Sequence, residues 1–263
     1  MDDLTLLTDA ALKSGEIGLK YFKKDPEKWT KGGGSPVSEA DLAIDKYLKE
    51  TLLAARPDYG WLSEETEDNL ARLEKDKVFV VDPIDGTRGF LEETENWMIS
   101  IAVVNKGATE SAALFGPVMD RLYVSQKGEG ASCNGESLLI SSEQIGLYGQ
   151  YAMPASIVSD LKETTTGDIS KARYVHSLAY RLALVADGEF AGAIARPKAK
   201  DWDLAAADLI LQEAGGEILN LKGESPRYNR EETSHDWIIA AGKTSSHLLK
   251  DAVLTAIEND SSK

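Results

Sequence analysis

Four apolar residues in succession, Val78-Phe-Val-Val81, run directly into Asp82-Pro-Ile-Asp85-Gly-Thr87. This stretch constrains the chain more than any other. A short unbroken apolar run bounded by turn residues reads as a buried strand, and this one ends at an aspartate. Proline fixes the backbone and glycine permits a sharp change of direction, so the chain leaves the strand through a tight turn. Such a turn aims two carboxylates and a backbone carbonyl at one point, and a hard cation wants several oxygens from one compact turn. If a helix opens near Thr87, the free amides of Gly86 and Thr87 face the same point, where they bind phosphate well. One segment can therefore hold a metal and a phosphate together. The plainer alternative is a turn whose aspartates only cap and solvate it.

A strand followed by Asp-x-Asp-Gly-Thr is the signature of the haloacid-dehalogenase phosphatases, which use an aspartate nucleophile. Side chains alternate along a strand with period two, so that spacing keeps both carboxylates on one face. Asp82 and Asp85 are three apart, which breaks that geometry. Two other places supply carboxylates. Glu64-Glu65 follows Trp61-Leu62-Ser63, and Asp201-Trp202-Asp203 precedes an apolar helix. Taken singly, the first is an ordinary solvated acidic pair and the second a helix N-cap. A metal ligand at a helix start loses little by also capping it.

The overall charge sharpens the question. With 44 acidic residues against 29 basic ones, the formal net charge is -15. That surface repels phosphate backbones and excludes general nucleic-acid binding. An anionic substrate would need something positive in the site, and a bound metal is the obvious candidate. His176, His235 and His247 lie far apart, none belongs to an HExxH pattern, and Cys133 is the single cysteine. Zinc is therefore not expected; oxygen ligands favour magnesium, calcium or manganese.

Leu4, Leu7, Ala11, Ser14, Gly18 and Tyr21 recur at helical spacing, and Lys31 to Pro36 is a glycine-rich loop. Ser38-Glu-Ala-Asp41 reads as a capping box for a helix whose buried face carries Asp41, Asp45, Leu48 and Leu52. Strands are expected at 98–104, 112–118 and 121–125. Further on, helices are expected at 178–186, 204–214 and 246–258, with strands at 190–195, 217–221 and 237–241. A polar, weakly patterned stretch from Ser141 to Gly167 places a domain boundary there, giving domains 1–145 and 146–263. The first is expected to pack helices on an antiparallel sheet, and the second to be α/β with a mixed, mainly parallel sheet. A lone cysteine fits a reducing compartment. The start Met1-Asp2-Asp3 lacks a signal-peptide pattern, and no apolar run spans a bilayer. The expectation is a cytoplasmic protein.

Taken together, Ser-Pro-Val-Ser-Glu-Ala-Asp41, Ser-Glu64-Glu65, Asp82-Pro-Ile-Asp85-Gly-Thr87, Cys133-Asn-Gly135 and Trp202-Asp203 running into Ala-Gly-Gly216 resemble the inositol monophosphatase family. The pieces occur in that family's order and cover most of the chain. The resemblance implies a layered α+β, α/β sandwich shared with fructose-1,6-bisphosphatase, two or three magnesium ions, inhibition by lithium and often a homodimer. By position, Glu64, Asp82 and the Ile84 carbonyl would hold one ion. Asp82, Asp85 and Asp203 would hold a second, and a weaker third would lie near Glu64. Thr87, polarised by Asp41, would orient and deprotonate the attacking water. Asp41 also keeps its reading as the capping-box partner of Ser38, and Asp45 is expected to be structural. Four carboxylates without cations repel one another, so the metal-free site is expected to be partly protonated.

The substrate implied is a small phosphomonoester: an inositol monophosphate, adenosine 3',5'-bisphosphate or histidinol phosphate. Inositol-specific members carry an acidic residue about two turns before the Trp-Asp aspartate, where this chain has Arg196, followed by Lys198 and Lys200. A basic cluster there suits a second phosphate; its bland reading is a solvated loop. Arg88 also departs from the inositol-type pattern. A regulatory, protein-binding role remains as another class, because one bacterial branch, the extragenic suppressor protein, is linked to RNA-polymerase function.

Overall fold

In the computed structural model, which describes residues 1–32, 34–140, 146–154, 157, 161 and 167–260, the apolar run is the middle of a long strand. In chain order the elements are α1 (Asp3–Tyr21), β1 (Lys28–Thr30), β2 (Pro36–Ser38), α2 (Glu39–Ala55), β3 (Gly60–Ser63), β4 (Lys77–Asp85), α3 (Thr87–Leu91), β5 (Met98–Asn105), β6 (Ala108–Gly116), β7 (Arg121–Gln126), β8 (Ala131–Cys133), β9 (Glu136–Ser137), β10 (Gly149–Ala152), β11 (Ile169–Lys171), α4 (Leu178–Ala186), β12 (Gly192–Ala195), α5 (Asp201–Glu213), β13 (Gly216–Leu219), β14 (Ile238–Gly242) and α6 (Ser246–Asp260). Strands β3 to β9 form a seven-stranded sheet in sequence order. Its ladders are antiparallel except β3 with β4.

Strand β4 shows why its sequence is continuously apolar. Phe79 and Val81 pack with Leu7, Ile44 and Leu48 of α1 and α2. The alternate residues Val78 and Val80 pack with Leu182, Ala206 and Ile210 of α4 and α5. Period-two alternation sends successive side chains to opposite faces, and here both faces are covered. Beyond α4 and α5 lies the five-stranded sheet, order β11-β10-β12-β14-β13. Its far face packs Ile194, Ile239 and Ala241 against Leu249 and Val253 of α6. The molecule is thus a sandwich of helix, sheet, helix, sheet and helix layers. One core joins Val80 and Leu114 of the first sheet, the helices α4 and α5, and Ala193 and Ala240 of the second.

The second sheet is mixed, as expected, but parallel pairing is not its majority. β10 pairs in parallel with β11 and β12, whereas β12–β14 and β14–β13 are antiparallel. Parallel neighbours need a crossover, usually a helix; the connection from β13 to β14 contains no helix, and β14 returns antiparallel. The anticipated domain boundary falls at residues 141–145, outside the described residues. Among the described residues, no helix is long and apolar enough to cross a membrane.

Candidate active site

The expected strand end at Asp82 is corrected by the structure: β4 continues to Asp85 through a bulge. Asp82 lies opposite Ser100 and Asp85 opposite Met98, so three residues on β4 span two on β5. The extra residue restores the phase that a spacing of three would lose, and both aspartates point to the face that carries Val80. Gly86 then turns at φ +92°, in the left-handed region. A Cβ there would lie 3.0 Å from the Ser177 nitrogen and 3.1 Å from the Asn96 oxygen, so only glycine fits. Helix α3 starts at Thr87, as the amide argument required.

Asp203 reaches the same point from the start of α5. Carboxylate oxygens of Asp82, Asp85 and Asp203 lie within 4.8 Å of one another. Each is also tied to backbone. The Ile84 N–H donates to Asp82 Oδ1 (3.0 Å), the Ala179 N–H to Asp85 Oδ2 (2.7 Å) and the Lys200 N–H to Asp203 Oδ2 (2.6 Å). The N-cap of α5 is Lys200, not an aspartate; Asp203 caps from the third helical position, while Asp201 pairs with His235 at 2.7 Å.

Burial pushes the Asp82 carboxyl well above the carboxylate range, and Glu64, Asp85 and Asp203 add repulsion. Asp203 is raised well above it by burial and then by Asp85. Burial lifts Asp85 to about 6 against the opposing hydrogen bonds from Ser177 and Ala179 and the attraction of Arg181. Close-packed oxygens that resist ionising are what a multivalent cation relieves. The donor set is all oxygen, so its chemistry fits magnesium.

Asp41 resolves its two readings by using both oxygens. Oδ2 accepts from the Ser38 N–H (2.8 Å) and Oγ (2.6 Å), capping α2. Oδ1 lies 3.1 Å from Thr87 Oγ1, which is also 3.0 Å from the Ile84 carbonyl oxygen. The one hydroxyl hydrogen of Thr87 can go to either. Burial raises Asp41 to about 6. Asp45 accepts from Ser63 Oγ and from Thr66 Oγ1 and is structural. Glu64 lines the cleft with Asp82, Asp85, Gly86, Thr87, Arg88 and Asp203. Its carboxylate pairs with Lys31 Nζ at 3.2 Å, and Lys31 also holds Glu65 at 2.6 Å.

Beside this cleft opens a cavity of about 530 Å³. It sits where the parallel strands β10, β11 and β12 end, the usual position for a ligand in an α/β sheet. Arg196 and Lys198 line it. Lys200 does not; its Nζ turns to Glu232 at 3.4 Å. Lys171, Arg173 and Arg181 join the lining, and the sequence had singled out none of them. The one available signal was Ser177 before the apolar run 178–186, an N-cap for α4. That cap fixes Asp85, to which Ser177 Oγ donates.

The layers, the motif order and the aspartate cluster converge on one assignment: the chain belongs to the inositol monophosphatase family, whose sequence model matches residues 2–259. Relatives with different kinds of name match this chain. An inositol-1-monophosphatase of Rhizobium meliloti is 30% identical over 237 residues, 84% of this chain and 86% of that protein. The Nus factor SuhB of Salmonella typhimurium is 30% identical over 234 residues, 84% and 85% of the two chains. The crystal structure of the extragenic suppressor protein suhB from Bartonella henselae superposes with a TM-score of 0.81 at 26% identity, covering 95% of this chain and 97% of that one.

Proposed function

We propose that the protein is a magnesium-dependent phosphomonoesterase whose substrate carries a second anionic group, with a nucleoside 3',5'-bisphosphate favoured over an inositol monophosphate. The observation that carries this reading is the junction of the buried aspartate cluster with a cavity lined by Lys171, Arg173, Arg181, Arg196 and Lys198. The carboxylates lining that cavity are Asp85 and Asp203, both in the cluster. An inositol ring presents neutral hydroxyls that both donate and accept, whereas this wall carries positive charge suited to a second anion, beside apolar surface.

Asp82, Asp85 and Asp203 would hold one magnesium; Glu64, Asp82 and the Ile84 carbonyl would hold another. When bound, magnesium supplies the positive charge that draws phosphate oxygens and acidifies water. The chain's own residues do the rest. The Gly86 and Thr87 amides receive phosphate oxygens at the start of α3. Thr87 Oγ1 takes a proton from the attacking water while passing its own to Asp41 Oδ1, a transfer over 3.1 Å. The cationic wall binds the second anion and orients the ester.

The test is phosphate release with magnesium from inositol 1-phosphate and adenosine 3',5'-bisphosphate side by side. Preference for the bisphosphate is expected; preference for inositol phosphate would sink the second-anion reading. The relative named as a Nus factor favours keeping a regulatory role in view. Such a role would survive Asp82→Asn in a genetic complementation assay, whereas a catalytic one is lost.

A further inference from the structure

The aspartate cleft and the cationic cavity share one stretch of wall, made of Asp85, Tyr174, His176 and Asp203. The two aspartates belong to the metal cluster, but the chemistry above leaves the two aromatic residues without a task. Both lie on the connection from β11 to α4, which also supplies Arg173 to the cavity and Ser177 to Asp85, while Lys171 enters the cavity from the end of β11.

Tyr174 is 69% exposed, and its ring leans on one neighbour. It stands edge-on to His176, with centroids 4.7 Å apart and planes at 79°. His176 is itself held. Its Nε2 lies 3.3 Å from Glu92 Oε2. It packs over Gly89 of α3, where an added Cβ would lie 3.0 Å from the His176 Cβ and Cγ. The glycine makes room for the imidazole, and the imidazole props the phenol ring. An edge-to-face contact steadies a ring without covering both its faces. The result is a supported aromatic ring where the cleft and the cavity meet, in a cavity also lined by Met153, Pro154, Leu178 and Ile194.

We propose that Tyr174, propped by His176, is a stacking platform for a planar ring in the leaving group, and that it makes the enzyme prefer ring-bearing phosphomonoesters over polyol phosphates. The proposal rests on the phosphomonoesterase reading and deepens it. Ring stacking on an aromatic side chain needs no particular hydrogen-bond pattern, and losing one such contact weakens binding by about tenfold. Tyr174 touches the leaving group rather than the reacting atoms, so its effect falls on KM more than on kcat.

The experiment reads the ratio of kcat/KM for adenosine 3',5'-bisphosphate to that for glycerol 2-phosphate, with magnesium, in the native protein, Tyr174→Ala and Tyr174→Phe. The ratio is expected to fall about tenfold in Tyr174→Ala, through KM, and to be retained in Tyr174→Phe. An unchanged ratio in Tyr174→Ala, an equal loss on both substrates, or an equal fall in Tyr174→Phe overturns the platform. Should the native protein leave the bisphosphate intact, 4-nitrophenyl phosphate replaces it. A ring-dependent fall there upholds the platform while the second-anion reading fails. No turnover of any ring-bearing ester overturns both.

Discussion

The two walls of the cleft are built by opposite means. On one, Asp82, Asp85 and Asp203 sit at a strand bulge and a helix start, and a backbone amide grips each carboxylate. On the other, Lys171, Arg196 and Lys198 are exposed side chains at the ends of parallel strands, with Arg173 beside them paired to Glu189 at 2.8 Å. The first wall fixes atoms; the second supplies charge on long stems. The difference follows from what each must do. Groups that meet a transition state gain from being held in place beforehand. Groups that choose among substrates need only the right sign and reach.

The comparison is broken most severely at Asp82. Asp82→Asn should lower magnesium-dependent phosphate release by on the order of 10³-fold, read by steady-state kinetics. In EDTA the same variant should melt higher than the native protein, because it removes a buried carboxylate that its acidic neighbours disfavour. Activity and metal-free stability thus move in opposite directions.

Asp208 isolates burial from metal. It lies on α5 with Asp203, buried, and Tyr228 donates to its Oδ2 at 2.7 Å; burial lifts its carboxyl to about 6. Its folded value exceeds its unfolded one, so the folded state binds more protons. Its contribution is fully present below about 4 and is lost as pH rises through about 6. Asp208→Asn should therefore stabilise the protein at pH 7.5 relative to pH 4, by up to about 3 kcal/mol in denaturant unfolding. An equal shift at both pH values would contradict this origin.

On the cationic wall, Arg196→Glu should raise KM for a bisphosphate about tenfold with little change in kcat, and move preference toward inositol phosphate. A loss confined to kcat would move Arg196 to the other side of the comparison. The smallest effect belongs to Ser177→Ala, which removes the N-cap of α4, including its bond from the Tyr180 N–H. It should cost about 1 kcal/mol of stability and weaken magnesium binding, measured by calorimetry, as loss of a ligand's hydrogen-bond partner does.

The same contrast governs what could be read from the sequence. The Asp82–Asp85 part of the aspartate wall was legible because its pieces are local: an apolar run, a Pro-Ile spacer, a glycine and a helix start lie within ten residues, whereas Asp203 joined it only through the family's Trp-Asp motif. The bulge was not, since a spacing of three argues against a shared face unless the partner strand's register is known. The long helices α1, α2, α5 and α6 announced themselves by period. β1, β2, β8 and β11 are three residues long and β9 two, too short for any periodicity. Lys171, Arg173, Tyr174 and Arg181 meet Arg196 only because β11, α4 and β12 are neighbours in space, which no local pattern encodes. Lys200 shows the converse: adjacent to the cluster in sequence, it gives its backbone N–H to Asp203 while its side chain turns to Glu232.

The bulge between Asp82 and Asp85 makes chain length at that point a functional quantity. Removing either Pro83 or Ile84 would leave the two aspartates separated by one residue in a regular strand, where period-two alternation keeps them on one face but without the bulge that shapes the turn around Asp82 and Asp85. Adding one residue would turn Asp85 toward α2. Surface loops generally tolerate such changes. Insertions and deletions among natural variants should therefore be absent from this stretch even where substitutions are common elsewhere in the sheet, so the spacing itself is a heritable trait, distinct from the identity of any residue in it.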